Sequence, residues 1–166
     1  MQSLEELDLY FMKQALREAE KAFFEKEVPV GAVLVHQNKI IAKGHNQVEL
    51  LKDATAHAEI LTLTAGSAAL GDWRLTDATL YCTLEPCLMC AGAMLSCRLK
   101  RLVWAAEDLR LGANGSWIDI FQERHPFHQI SVTKHILKAE SALLLKEFFQ
   151  KRRKEKALLT SLKNDY

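Results

Sequence analysis

The chain has 166 residues, of which 49% are hydrophobic and 26% are charged, which is close to ordinary globular usage. This composition fits one folded domain over residues 1–166 and excludes a disordered or fibrous class of protein. The acidic N-terminus lacks the features of a signal peptide and no apolar run approaches the ~20 residues of a membrane span, so we expect a cytoplasmic protein without a membrane partner.

The net charge of +1 does not by itself indicate a nucleic-acid partner, but the charge is unevenly distributed. From Lys146 to Tyr166 the basic residues exceed the acidic residues by four, which leaves the rest of the chain at −3. A basic arm of this kind is suited to binding phosphates, although a charged terminal helix is more often only solvated. Charge alone leaves both interpretations open.

The first third of the chain predicts one helix followed by a β-hairpin. Apolar residues recur at steps of three and four from Asp8 to Lys26, which is typical of an amphipathic helix. The apolar, β-branched run from Val28 to His36 predicts a strand buried on both faces. Gln37-Asn38 then predicts a turn into a second strand over residues 39–44.

The rest of the chain alternates predicted helices and strands, which indicates a sheet covered by helices. After a loop over residues 47–55, a helix capped by Asp53 or Thr55 runs over residues 56–65, and the glycines from Gly66 to Gly71 mark its end. The later elements are a strand over 78–83, a helix over 87–96, a strand over 102–106, a loop over 107–116, a strand over 130–133 and a basic C-terminal helix over about 139–156.

Two short motifs carry the chemistry. His57 and Glu59 form H-x-E, and about thirty residues later Pro86, Cys87 and Cys90 form P-C-x-x-C, a combination typical of zinc-dependent nucleobase deaminases. One imidazole and two thiolates supply the three protein ligands of a catalytic zinc site, which keeps its fourth position open for water. A carboxylate beside such a water can take its proton and later deliver it, so Glu59 need not bind the metal.

Helix geometry supports this interpretation. Cys87 and Cys90 are three residues apart and would share one face of a helix, while Pro86 suits the first helical position. Both sulfur atoms would then lie at the positive end of the helix dipole, which favours the thiolate forms that bind metal. A C-x-x-C pair alone could also be a redox pair or half of a structural zinc site, but neither alternative explains the H-x-E motif upstream.

With these motifs, the chain resembles the bacterial tRNA-specific adenosine deaminases, within the zinc-dependent cytidine and deoxycytidylate deaminase superfamily. The resemblance covers nearly the whole chain and is specific at four blocks, which run from Glu27 to Val35, Thr55 to Glu59, Asp77 to Tyr81 and Thr83 to Met94. The resemblance implies a three-layer α/β/α fold with a central five-stranded mixed sheet, and a homodimer. It also implies hydrolytic deamination of the wobble adenosine of a tRNA anticodon to inosine by zinc-activated water.

The resemblance assigns roles to particular residues and implies one Zn²⁺ ion per subunit, with no nucleotide cofactor. The positions that match the family's functional residues are the zinc ligands His57, Cys87 and Cys90, the proton shuttle Glu59, the base and pocket contacts Asn46, Val30 and Ala58, and the RNA contacts Phe149 and Arg153.

The chain departs from the family pattern at a few positions beside these blocks. His45 stands where the family often has Trp, Ala54 where it usually has Pro, and Arg110-Leu111 where Lys-Thr is common. These departures leave the chemistry intact and concern the details of RNA contact. Two alternatives stay open: a deaminase of a free base or nucleoside of the cytosine, guanine or cytidine type, and a non-catalytic zinc-stabilised RNA-binding module, which would have no use for Glu59.

Overall fold

The computed structural model describes residues 2–123 and 125–164, without the side chains of Lys163 and Asn164. The end of the predicted basic arm, Asp165 and Tyr166, therefore lies outside the described residues. The strands are β1 Gly31–His36, β2 Lys39–His45, β3 Ala78–Leu84, β4 Arg101–Ala106 and β5 Ser131–Lys134. The helices are α1 Leu4–Phe24, α2 Val48–Leu51, α3 Ala58–Leu70, α4 Leu88–Ser96 and α5 Lys138–Asn164. None of these described helices combines the length and the apolar content needed to cross a membrane.

The five strands form one mixed sheet in the order β2-β1-β3-β4-β5. β1 pairs antiparallel with both β2 and β3, whereas β3, β4 and β5 run parallel. The predicted five-stranded mixed sheet flanked by helices is confirmed. Because β3 and β4 are parallel neighbours, the residues that follow their carboxyl ends, after Leu84 and Ala106, emerge at the same edge of the sheet, where ligand sites of such sheets lie.

Each face of the sheet contributes to its own hydrophobic core. Successive side chains of a strand point to opposite faces. In β1, Ala32 and Leu34 pack into the cluster that includes residues of α3 and α4, while Val33 and Val35 pack with Phe11 of α1. The central strands are consequently buried on both sides, which explains their nearly continuous apolar sequences.

Several predicted element boundaries differ from the structure: α1 begins at Leu4 and not at Asp8, and β1 begins at Gly31 and not at Val28. α3 continues through Gly66 and ends at Gly71, whose left-handed backbone caps the helix. Gly66 lies within the helix, and a glycine is needed there because the helix packs closely against β1. A Cβ at this position would lie 2.2 Å from Cδ2 of Leu34. The loop predicted over residues 47–55 contains the short helix α2, and α5 continues past the predicted end near residue 156. The single domain over residues 1–166 stays a prediction.

A buried ion pair joins α1 to the sheet. The Arg101 guanidinium donates two hydrogen bonds to the Asp8 carboxylate, at 2.7 and 2.6 Å, and Tyr81 donates a third at 2.8 Å. Burial, with the neighbouring Asp8, raises the pKa of the Tyr81 hydroxyl. Arg101 also donates to Oγ1 of Thr133, so one cluster connects α1, β3, β4 and β5.

We expect Asp8→Ala to lower the free energy of unfolding by about 3 to 5 kcal/mol, because it leaves the Arg101 charge in a largely buried position without its partner. The control is Asp77→Ala, since Asp77 lies 3.7 Å from Lys100 but both side chains are well exposed. It should change stability by less than about 1 kcal/mol. Urea denaturation followed by circular dichroism measures both values, and equal losses would contradict the prediction.

Candidate active site

The three predicted metal ligands lie at the beginnings of two helices. His57 is the N-cap residue of α3 and Cys87 is the N-cap residue of α4, and both have extended backbones. The predicted cap at Asp53 or Thr55 is therefore wrong: the Asp53 carboxylate instead accepts hydrogen bonds from Thr55 within the preceding turn. Pro86 likewise precedes the N-cap and does not occupy the first helical position.

The ligand atoms have the spacing of a single metal site. Nδ1 of His57 lies 3.6 Å from Sγ of Cys87 and 3.5 Å from Sγ of Cys90, and all three ligand atoms lie within 4.8 Å of one another. Tetrahedral zinc, with its usual bond lengths to nitrogen and sulfur, would hold an imidazole nitrogen and a thiolate sulfur about 3.5 Å apart. The donor set and its spacing therefore fit zinc.

The electrostatics of the cluster favour a thiolate. A hydrogen bond from Cys90, assisted by one from His57, lowers the pKa of the Cys87 thiol to about 4 although burial opposes the shift. The shared hydrogen bond and burial raise the pKa of Cys90. Both cysteines lie at the N-terminus of α4, where unpaired backbone N–H groups and the helix dipole stabilise negative charge.

Glu59 lies beside this cluster and is 4% exposed. Burial is the main reason that its pKa rises to about 7. Side chains two residues apart in a regular helix face different directions, but His57 precedes the helical part of α3. Its extended backbone lets both side chains line the same cavity.

A cavity of about 400 Å³ opens beside the cluster, at the edge of the sheet where β3 and β4 end. The predicted site residues that line it are Val30, Asn46, His57, Glu59, Cys87 and Phe149. Ala58 and Cys90 are fully buried and do not contribute to its described lining. Arg153 is also outside it, but it lines an adjacent recess that shares Phe149 with the cavity.

The adjacent recess is basic. Arg110, Lys146 and Arg153 surround Phe149, which is 37% exposed. The neighbouring residue, Phe148, is buried and packs against Phe23 of α1. α5 thus packs against α1 through Phe148 and presents Phe149, Lys146 and Arg153 at the recess, while Arg110 comes from the loop after β4.

Two further buried glutamates lie near the site without a role assigned from the sequence: Glu85 at the cavity, and Glu27 at an adjoining recess that shares Asn46 and His57 with it. The Glu27 carboxylate accepts hydrogen bonds from the backbone N–H groups of Glu49 and Leu50, at 3.2 and 2.7 Å, and so holds α2. Glu85 lines the cavity. Both residues lie in blocks that match the family, but each is an isolated carboxylate next to an apolar strand, a pattern that by itself indicates no role.

This arrangement of a zinc-fitting cluster, a buried carboxyl group and an adjoining cavity is what a zinc-dependent deaminase requires. The sequence model of the family described as "Cytidine and deoxycytidylate deaminase zinc-binding region" matches residues 5–106. The chain belongs to this family, and the resemblance stated above is confirmed.

Individual relatives point to one branch of the family. The chain is 47% identical over 162 residues to the tRNA-specific adenosine deaminase of Haemophilus influenzae, with 95% of this chain and 94% of that protein covered. It is 51% identical over 162 residues to the chloroplastic tRNA(adenine(34)) deaminase of Arabidopsis thaliana, covering 88% of this chain but only 12% of that much longer protein.

A solved structure gives the same picture. It comes from work on A-to-I editing by tRNA:A34 deaminases at the wobble position of transfer RNA. It superposes with a TM-score of 0.78 at 42% identity and covers 81% of this chain and 98% of that one.

We expect Cys90→Ala to abolish stable metal binding, because only two of the three protein ligands would remain. The matched control is Cys97→Ala, which removes another free and partly buried cysteine at the far end of α4. Metal analysis of the purified proteins should find zinc in the wild type and in the control only. Cys90→Ala protein with an undiminished zinc content would contradict the assignment.

Proposed function

We propose that the protein hydrolytically deaminates the wobble adenosine of a tRNA anticodon to inosine, with one zinc ion per subunit. The observation that carries the proposal is the buried Glu59 carboxyl group beside the His57, Cys87 and Cys90 cluster, in a cavity that adjoins a basic and aromatic recess. The relatives' names and the identities of 47% and 51% support tRNA as the substrate.

The metal would be held by Nδ1 of His57 and the two sulfur atoms. When bound, zinc supplies Lewis-acid activation of a water molecule. Glu59 handles the protons: with a pKa near 7 it can accept one from the water and return it to the departing amino group. Adenosine and water are thereby converted to inosine and ammonia.

Asn46 is the proposed contact to the adenine edge, because its buried amide lines the cavity and offers both a donor and an acceptor. Val30 supplies part of the apolar wall of the cavity, and the fully buried Ala58 packs behind it. To reach this depth the adenosine must be turned out of its loop, which is easiest in a single-stranded anticodon.

The proposed RNA surface is the basic recess formed by α5 and the loop after β4. Aromatic rings stack on unpaired bases while cations contact phosphates, and Phe149 with Arg110, Lys146 and Arg153 offers both. A deaminase of a free base or nucleoside has no use for this surface, and a non-catalytic RNA-binding module has no use for Glu59. Both features together favour an enzyme acting on RNA.

The assembly and location follow from the same proposal. Leu88 and Met89 at the start of α4 are exposed apolar side chains beside the metal cluster, which supports burial of this region in the proposed homodimer. Analytical ultracentrifugation measures that state. Because the proposed substrate is tRNA, we expect the protein in the cytoplasm.

The direct test is incubation with an unmodified tRNA transcript that has adenosine at the wobble position, followed by nucleoside analysis. The wild type should produce inosine, and Glu59→Gln should lower the rate by about 10²-fold or more with zinc retained, because the amide cannot shuttle a proton. A transcript with guanosine at the wobble position is the control. Deamination of free guanine or cytosine without action on the transcript would contradict the proposal.

We expect Arg153→Ala to raise the KM for an anticodon stem-loop about tenfold and to reduce the slope of log KM against log salt concentration by about 1, because one phosphate contact is lost. Truncation within α5 is unsuitable because it would remove the buried Phe148. The control is Lys39→Ala, at the hairpin on the opposite end of the sheet. Equal effects of the two substitutions would exclude a specific role for Arg153.

A further inference from the structure

Glu85 is a carboxylate of unusual placement. It follows the last residue of β3, lies two residues before the metal-cluster residue Cys87, lines the cavity and is only 1% exposed. A buried carboxylate is costly unless its oxygens are satisfied by hydrogen bonds. The proton-transfer chemistry assigned to Glu59 does not require a second glutamate, so the contacts of Glu85 indicate another role.

All the described hydrogen bonds to the Glu85 carboxylate come from the loop between β4 and β5. Oε1 accepts from the backbone N–H groups of Asn114, at 2.9 Å, and Ser116, at 3.1 Å. Oε2 accepts from the backbone N–H of Asp108, at 3.1 Å, and from the Ser116 hydroxyl. One side chain thus gathers both ends of a turn spanning residues 108–116.

The backbone beside Glu85 is attached to the same loop. The N–H of Glu85 donates to the carbonyl of Ala106 at 2.7 Å, and the N–H of Ala113 donates to the carbonyl of Pro86 at 2.8 Å. Cys87 forms an isolated antiparallel bridge with Gly112. The loop and the segment that carries the metal-cluster cysteines are therefore held in fixed register.

Gly112 shows how closely the loop surrounds the carboxylate. A Cβ at this position would lie 2.4 Å from Cδ of Glu85 and 2.6 Å from the carbonyl oxygen of Asp108. Neither the buried carboxylate nor the loop backbone can move away cheaply. The loop is folded around the Glu85 side chain, and only glycine fits at the point of contact.

The beginning of this loop forms one wall of the cavity. The cavity lining includes Glu107, Asp108, Leu109, Arg110 and Leu111, together with Val30 and Asn46. We propose that Glu85 is a positioning residue that holds this wall, residues 107–111, in register with the metal cluster and so determines how tightly the substrate is bound. The inference rests on the proposed function for the identity of that substrate.

The test compares Glu85→Gln with the matched control Glu123→Gln, the same change at an exposed glutamate of the loop between β4 and β5. An amide at position 85 can satisfy two of the four donors through its oxygen, but its NH₂ group faces the others. Each donor left unpaired should shift a local equilibrium by about 5- to 150-fold, which is equivalent to about 1 to 3 kcal/mol.

Three quantities are measured on the zinc-loaded proteins: zinc content, KM and kcat on an anticodon stem-loop with adenosine at the wobble position, and hydrogen exchange of the peptide spanning residues 107–117. Glu85→Gln should keep its zinc, raise KM about tenfold with kcat changed less than about threefold, and accelerate exchange in this peptide but not in α5. Glu123→Gln should match the wild type in all three.

A second variant guards against misfolding. Ser116→Ala removes one donor and keeps the carboxylate, so it should shift KM and exchange in the same direction by a smaller amount. Loss of zinc from Glu85→Gln, or unchanged exchange and KM, would overturn the inference. If the wild type fails to deaminate the RNA, the proposed function fails, while the exchange measurement still decides whether Glu85 holds the loop.

Discussion

The candidate site depends on two helices that begin at one point in space. His57 precedes α3 and Cys87 precedes α4, so the imidazole and the two thiols meet in front of both helix ends. β3 leads directly to Cys87 and is the neighbour of β1, against which α3 packs. The order of strands in the sheet therefore brings together ligands that are thirty residues apart, and the helix dipoles then favour the thiolate that a metal needs.

The cavity beside the cluster has walls of irregular backbone, which leaves N–H groups that must find partners. Two buried glutamates supply them. Glu85 accepts from the loop after β4, which lines the cavity, and Glu27 accepts from the first turn of α2, beside an adjoining recess that shares Asn46 and His57 with the cavity. Charge-assisted hydrogen bonds to the carboxylates thus satisfy backbone N–H groups that, within the sheet, would be satisfied by a neighbouring strand. The metal cluster and the shape of the substrate cavity have separate structural origins, although they share the segment 85–90.

Short-range signals in the sequence predicted most of what is local. The H-x-E and P-C-x-x-C motifs identified the metal cluster, and apolar periodicity indicated the order of the elements and a sheet covered by helices, whereas the five-stranded mixed sheet was implied by the family resemblance. The errors arose where tertiary contacts override local preference. The glycine pattern predicts a helix end at Gly66, but this residue is a glycine because Leu34 leaves no room for a side chain at this position of α3. The N-cap of α3 is His57 and not Asp53 or Thr55. The contacts of Glu85 span 23 to 31 residues and have no local pattern that could reveal them.

The adjacent rings Phe148 and Phe149 face different environments, one packed against Phe23 and the other at the cavity entrance. The same turn of α5 therefore contributes one ring to the hydrophobic core and one ring to the lining of the cavity. A change of substrate is therefore expected to occur by substitution of single outward side chains such as Arg153. Shortening or tilting α5 would instead remove Phe148 from the hydrophobic core. Such substitutions can change the affinity for the substrate in small steps while the folded structure stays stable.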